Sequence, residues 1–184
     1  MRVIAGTARS MPLRTLKGMD IRPTTDRTKE TLFNIIQFRI PGCRFLDLFS
    51  GTGAIGIEAL SRGASKAFFV ERDRKHQNLI KENLDYTKLG DRAVLRGGDV
   101  LQVLPRLESE EPFDIIFMDP PFGKSLEKDA LKIISDSTLL ADGGLVIIEA
   151  APGTDFSYIS DYGFEIENQR VYTKSSHLFL RRKG

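Results

Sequence analysis

The residues Asp47-Leu48-Phe49-Ser50-Gly51-Thr52-Gly53 set a carboxylate ahead of two glycines, and Gly56 completes a G-x-G-x-x-G spacing. Glycines let a backbone turn without Cβ clashes and pass close to a ligand. That spacing alone serves several kinds of nucleoside site. Glu71 ends the next apolar run, 15 residues after Gly56, where a ribose is held through its hydroxyls. A carboxylate beside the glycine turn repels a pyrophosphate, but it suits a ligand carrying an ammonium and a sulfonium. S-adenosylmethionine is such a ligand. The competing reading is a glycine turn that only joins strand to helix, with Asp47 as a local cap.

A second constellation follows the apolar run Phe113 to Met118: Asp119-Pro120-Pro121-Phe122. Prolines remove backbone donors and stiffen the loop. A stiff loop can aim the Asp119 carboxylate and the Pro120 carbonyl at one point. Both are acceptors, and together they match the two N–H bonds of a planar exocyclic amine. Phe122 offers a ring on which a base can stack. Such an amine is a poor nucleophile because its lone pair is conjugated with the ring. Acceptors on both hydrogens favour a pyramidal nitrogen and expose that lone pair. Here the competing reading is a simple turn after a strand.

These residues need elements to position them. Phe45 to Phe49 predicts a buried strand, Ile55 to Leu60 a helix stopped by Gly63, and Ala67 to Val70 a second strand ending on Glu71. Upstream, Arg2 to Leu16 predicts a short hairpin, and Thr24 or Thr25 caps a helix that runs to about Phe38. Downstream, helices are predicted at 74–88, 100–107 and 126–139, with strands at 94–95, 113–118, 144–149, 164–172 and 177–180. The alternation predicts an α/β fold with a mainly parallel sheet covered on both faces. Ligands of such sheets sit at the carboxyl ends of the strands. Asp47, Glu71, Asp99 and Asp119 all follow strands and are expected to line one crevice.

Hydrophobic residues make up 41% of the 184, enough for a single domain with a full core. No apolar run approaches the roughly 20 residues of a membrane span. The amino terminus lacks the apolar region of a signal peptide. One cysteine, Cys43, allows no internal disulfide, and with two distant histidines, His76 and His177, no metal site is expected. A cytoplasmic monomer is the expectation, with His76 on the surface and His177 in a strand. Charge is uneven: residues 1–40 carry eight Lys and Arg against three acids, the remainder 19 against 22. A basic end points to a polyanion docking there, an ordinary solvated face being the alternative. Arg2, Arg9, Arg14, Lys17, Arg22 and Arg27 are the candidate phosphate contacts.

The D-L-F-S-G-T-G turn with D-P-P-F resembles class I (Rossmann-like) methyltransferases that act on amino nitrogens. Arg22-Pro23-Thr24-Thr25-Asp26-Arg27, followed by Glu30-Thr31-Leu32-Phe33-Asn34-Ile35, is similar more narrowly to the RsmD family. These enzymes methylate the N2 amine of one guanine in bacterial small-subunit (16S) ribosomal RNA. The likeness runs from the hairpin to the D-P-P-F loop, and Tyr172 to Lys183 matches only loosely. It implies a seven-stranded sheet with the last strand antiparallel, on one domain with 1–22 as a hairpin extension and 23–184 as the core. It also implies S-adenosylmethionine on Asp47, Phe49, Ser50, Gly51, Thr52 and Gly53, its ribose on Glu71 and its adenine near Asp99 and Val100. Asp119, Pro120 and Phe122 then handle the guanine, and the 22–27 segment lies over the cofactor and meets the RNA. The substrate is 16S ribosomal RNA within the small subunit or an assembly intermediate. The rivals are an adenine-N6 or cytosine-N4 DNA methyltransferase, a glutamine methyltransferase of proteins, and a non-catalytic RNA-binding assembly protein on the same fold. No evident target-recognition domain, and Asp rather than Asn at 119, weigh against the first two. Intact Asp47, Glu71 and Asp119 weigh against the last.

Overall fold

A computed structural model describes residues 1–16 and 26–184. Five runs form parallel strands, and the inner ones are buried on both faces, as a parallel sheet requires. They are β1 (Arg44–Leu48), β2 (Lys66–Glu71), β3 (Ala93–Gly97), β4 (Phe113–Met118) and β5 (Leu140–Ala150). Two more, β6 (Phe164–Val171) and β7 (Ser176–Arg182), complete a seven-stranded sheet of order β3-β2-β1-β4-β5-β7-β6. β7 runs antiparallel between β5 and β6, as the resemblance implied.

Alternate residues of each strand feed two cores. On one face, α1 (Asp26–Ile36), α2 (Ala54–Ser61) and α3 (Arg74–Thr87) pack against Phe45, Phe69, Phe117 and Ile147. On the other, α4 (Val100–Val103) and α5 (Leu126–Ser135) pack against Leu46, Phe68, Ile116 and Ile148. The chain winds outward from β1 in one direction and from β4 in the other. The carboxyl ends of β1 and β4 are therefore the switch point of the sheet, where a crevice opens.

Several predicted boundaries moved for local reasons. Pro105 cannot donate to an α-helical ladder, so α4 tightens into a 3-10 segment at Leu104–Ser109. α5 stops at Ser135 rather than Leu139. There the Arg182 guanidinium donates to the carbonyls of Ile134, Ser135 and Ser137 at 2.8, 3.0 and 2.9 Å, taking over the helix's unpaired acceptors. Arg181 meets Glu165 at 2.7 Å and the Lys183 amine donates to Ser160, so the basic tail is engaged with the protein itself. His76 is not on the surface: it is 7% exposed, its Nδ1 3.2 Å from Asp73, which caps α3 by accepting the His76 and Lys75 amides. The ring lies on the buried stripe of α3 with Leu79, Ile80 and Asn83.

The N-terminal stretch turns back on itself around Gly6, with an antiparallel bridge between Arg2 and Pro12 in place of regular strands. It lies flat on α2: a Cβ at Gly6 would stand 1.8 Å from the Ser61 carbonyl oxygen. Val3, Ala8 and Leu13 enter the α1–α2 core. Glu58 is fully buried and accepts the amides of Ile4 and Ala5 at 2.8 and 3.0 Å. Its charge is matched by Lys29, at 3.1 Å, and Arg62, at 2.7 Å. The predicted cap at Thr24 or Thr25 lies outside the described residues.

Candidate active site

The glycine turn leaves β1 through backbone conformations that few side chains adopt. Phe49, Gly51 and Gly53 have φ of 60°, 53° and 75°. Gly53 is the cap of α2, and the next residue, Ala54, is already helical. Gly56 serves packing: a Cβ there would stand 2.3 Å from the Phe69 ring, so only glycine lets α2 lie so close to β2. The Ser50 hydroxyl donates to the Asp47 carbonyl at 2.6 Å, and the Ser50 amide to the Val70 carbonyl at 3.1 Å. These bonds stitch the turn to both strands.

The two acids differ in what they hold. Asp47 is 1% exposed and accepts the Gly56 amide at 2.9 Å, so it braces the first turn of α2 from beneath. Burial pushes its carboxyl well above the ordinary carboxylate range, against the pull of the Gly56 amide, and the Glu71 charge adds to the rise. Glu71 accepts the Gly51 amide at 2.9 Å through one oxygen and the Asp73 amide at 2.8 Å through the other. It thereby ties the end of β2 to the glycine turn. Asp99 caps α4, accepting the Leu101 amide at 3.0 Å, and Val100 beside it is buried.

Asp119 follows β4, and Pro120 beside it is buried while Phe122 is partly exposed. Leu48 is level with both Val70 and Met118. Phe49, Glu71 and Asp119 are the next residues of the three chain segments, so the glycine turn, Glu71 and the D-P-P-F loop all begin at this end of the sheet. The sheet thus gathers the glycine turn, the acids after β2 and β3, and the D-P-P-F loop at one end. Acceptors at Glu71 and Asp99 beside a tight glycine turn fit a nucleoside with hydroxyl and amine donors.

The basic residues are more dispersed. Arg9 and Arg27 are exposed; Arg2 pairs with Asp26 at 3.6 Å and Arg14 with Glu82 at 2.8 Å. Lys17 and Arg22 lie outside the described residues. The arm nevertheless reaches the turn. Asn83, fully buried, accepts the Arg14 amide at 2.8 Å and donates to the carbonyls of Arg14 and Thr52 at 3.2 and 3.1 Å. The Thr52 hydroxyl lies 3.8 Å from the Met1 sulfur. Sequence reasoning missed Glu58 and Asn83. A charge inside the wholly buried stretch 54–61 was a signal for the first, while nothing local marked the second. Two surface depressions around Arg39, near Cys43 and Gly143, lie at the amino ends of the strands, away from this crevice.

A mainly parallel seven-stranded sheet with one reversed strand inserted beside its edge, a glycine turn after β1 and an acid at the end of β2 is the class I methyltransferase fold. The solved structure of yhhF from Escherichia coli superposes with a TM-score of 0.84 at 31% identity, over 100% of this chain and 98% of that one. A hypothetical protein of Thermus thermophilus gives 0.83 at 30% identity, over 97% and 98%. Within that class the chain belongs to the family described as conserved hypothetical protein 95, whose model matches residues 1–180. It is 37% identical to ribosomal RNA small subunit methyltransferase D of Haemophilus influenzae, over 81% of this chain and 78% of the relative. The Escherichia coli protein of the same name is 36% identical, over 82% and 74%.

Proposed function

We propose that this chain transfers a methyl group from S-adenosylmethionine to the exocyclic N2 amine of a guanine in 16S ribosomal RNA. The observation that carries the reading is the level ending of β2, β1 and β4 at Val70, Leu48 and Met118, which brings Glu71, the glycine turn and Asp119 to one end of the sheet. The names of its relatives, small subunit methyltransferases, supply the RNA.

In this reading Glu71 takes the ribose hydroxyls, Asp99 and Val100 border the adenine, and the turn from Phe49 to Gly53 faces the methionine part. Asp47 acts from behind, holding the turn in shape. When bound, the cofactor supplies an electrophilic methyl on a positive sulfur. Asp119 and the Pro120 carbonyl accept the two amine hydrogens, and Phe122 stacks on the base. These bonds strengthen as the nitrogen becomes pyramidal, so they favour the transition state over the ground state. The basic arm, with Arg2, Arg9, Arg14, Lys17, Arg22 and Arg27, binds RNA phosphates as a monomer docks on the subunit or its precursor.

Incubation with tritiated cofactor and, separately, small-subunit particles, naked ribosomal RNA and DNA tests the substrate class. Label in the small-subunit RNA is expected. Label confined to DNA or to protein would overturn the proposal.

A further inference from the structure

Glu149, near the end of β5, is 7% exposed, and its Oε2 lies 3.0 Å from Nε2 of the fully buried His177. His177 Nδ1 lies 3.4 Å from the Tyr172 hydroxyl. The imidazole is packed edge-on against Phe117, Tyr172 and Phe179 at 6.3, 5.2 and 6.4 Å. With the glutamate ionised, Nε2 donates to it and Nδ1 accepts from Tyr172, so one tautomer serves both bonds. Burial raises the Tyr172 phenol above its ordinary range, with the Glu149 charge adding to the rise, which keeps the hydroxyl a donor. Taking these groups out of water is costly, and apolar residues of the same volume would fill the site more cheaply.

The sheet register says where this carboxylate stands. Met118 is level with Ile148 on strands about 4.8 Å apart, and Asp119 and Glu149 are the next residues of the two segments. Phe117 and Ile147 face the α1–α2 side, and Glu149, two further on within β5, shares that side beside the point where Asp119 leaves β4. His177 is level with Glu149 on β7.

The geometry points to Glu149 as the residue that reads the ring edge beside the methylated amine. This rests on the guanine-amine reading proposed above. In guanine the N2 amine is flanked by N1–H, a donor. In adenine and cytosine the amine is flanked on that edge by a ring nitrogen that only accepts. A carboxylate next to the amine site accepts N1–H and repels a bare nitrogen lone pair. Asp119 and the Pro120 carbonyl hold the amine and Glu149 the ring N–H, so three acceptors meet three donors. His177 and Tyr172 are positioning residues that fix the carboxylate's direction. A flipped base is read on this edge, and buried acceptors reject a base that cannot donate to them.

The test replaces the target guanine, once mapped, by 2,6-diaminopurine in ligated 16S RNA assembled into small-subunit particles. This base keeps the 2-amine and carries an acceptor at N1. The native chain should methylate the guanine particle with kcat/KM roughly tenfold to a hundredfold above the diaminopurine particle, the scale of one well-placed base contact. Glu149→Gln, whose amide can donate to N1, should shrink that ratio to about threefold or less while cofactor affinity holds. Tyr172→Phe should narrow it as well, and an unchanged ratio there would overturn the positioning role. A native ratio near one, or a ratio that Glu149→Gln leaves intact while slowing both substrates, would overturn the proposal. Because this base also carries an amine in place of O6, it is the narrowing by Glu149→Gln, or by Tyr172→Phe where the Gln variant does not fold, that assigns the contact. No methyl on either 2-amine, with label on another base, is a different outcome: it removes the guanine reading itself.

Discussion

Glu58 and Lys29 form an ion pair at 3.1 Å with side-chain exposures of 0% and 1%. Their union holds the first residues of the chain against α1 and α2, because Glu58 also accepts the Ile4 and Ala5 amides and the Lys29 amine donates to the Arg2 carbonyl at 2.6 Å. Burial draws the Lys29 ammonium below its ordinary range, and Glu58 pulls it back up. Glu58→Ala leaves a buried lysine without its main partner and should cost about 3–5 kcal/mol. Lys29→Met should cost less, since Arg62 and two amides still hold Glu58. Urea unfolding of both variants checks this, and a Glu58→Ala midpoint equal to the native one would mean the arm is not anchored there.

Asp47 should set stability against binding. Its folded carboxyl titrates above the ordinary 3.8, so between that pH and its folded value the unfolded chain has lost a proton that the folded chain keeps. The stabilising contribution is therefore complete below about pH 3.8 and is lost as pH rises through the folded value. Asp47→Asn keeps an acceptor for the Gly56 amide without the charge. It should be more stable than the native chain at neutral pH, with the gain vanishing in acid. It should also bind S-adenosylmethionine more weakly. Denaturation curves at several pH values and one calorimetric titration test both halves; a variant less stable at every pH contradicts the burial argument.

Glu71→Ala should weaken S-adenosylmethionine and its demethylated product by roughly 1–3 kcal/mol, the scale for losing a charged acceptor. NAD should bind neither form. Titration calorimetry with all three ligands is the check, and tight NAD binding would count against the cradle.

The β1–turn–α2–β2 unit and the β4 strand with its D-P-P-F loop were legible because their signals are contiguous: apolar runs, glycines and prolines within a few residues. The reversed strand β7 came with the family resemblance. What escaped were pairings between distant residues. Asn83 with Arg14, Glu58 with Ile4 and Glu149 with His177 join chain segments that no local pattern links. His76 was misjudged because its helix is polar in composition, yet it falls on the same buried stripe as Leu79, Ile80 and Asn83.

Phosphate contacts by the arm should appear in the salt dependence of RNA binding. Each neutralised phosphate steepens the slope of log affinity against log salt by about 0.7 to 0.9. Replacing Arg9 and Arg14 together should flatten the slope by roughly 1.5 with cofactor affinity intact. Arg14 can leave Glu82 for a phosphate, because an exposed ion pair holds it by only about 0–1 kcal/mol. Filter binding to small-subunit particles across a salt series decides, and an unchanged slope would leave the arm a structural element.

Mass-spectrometric identification of the methylated nucleoside tests the central claim most directly. Small-subunit particles from cells lacking this enzyme are incubated with labelled S-adenosylmethionine and either the native chain or Asp119→Ala, then digested to nucleosides. The account predicts N2-methylguanosine at one position with the native chain, and none with Asp119→Ala, whose cofactor affinity stays within a few-fold of native. Methyl on adenine N6 or cytosine N4, or undiminished N2-methylguanosine from Asp119→Ala, would contradict it.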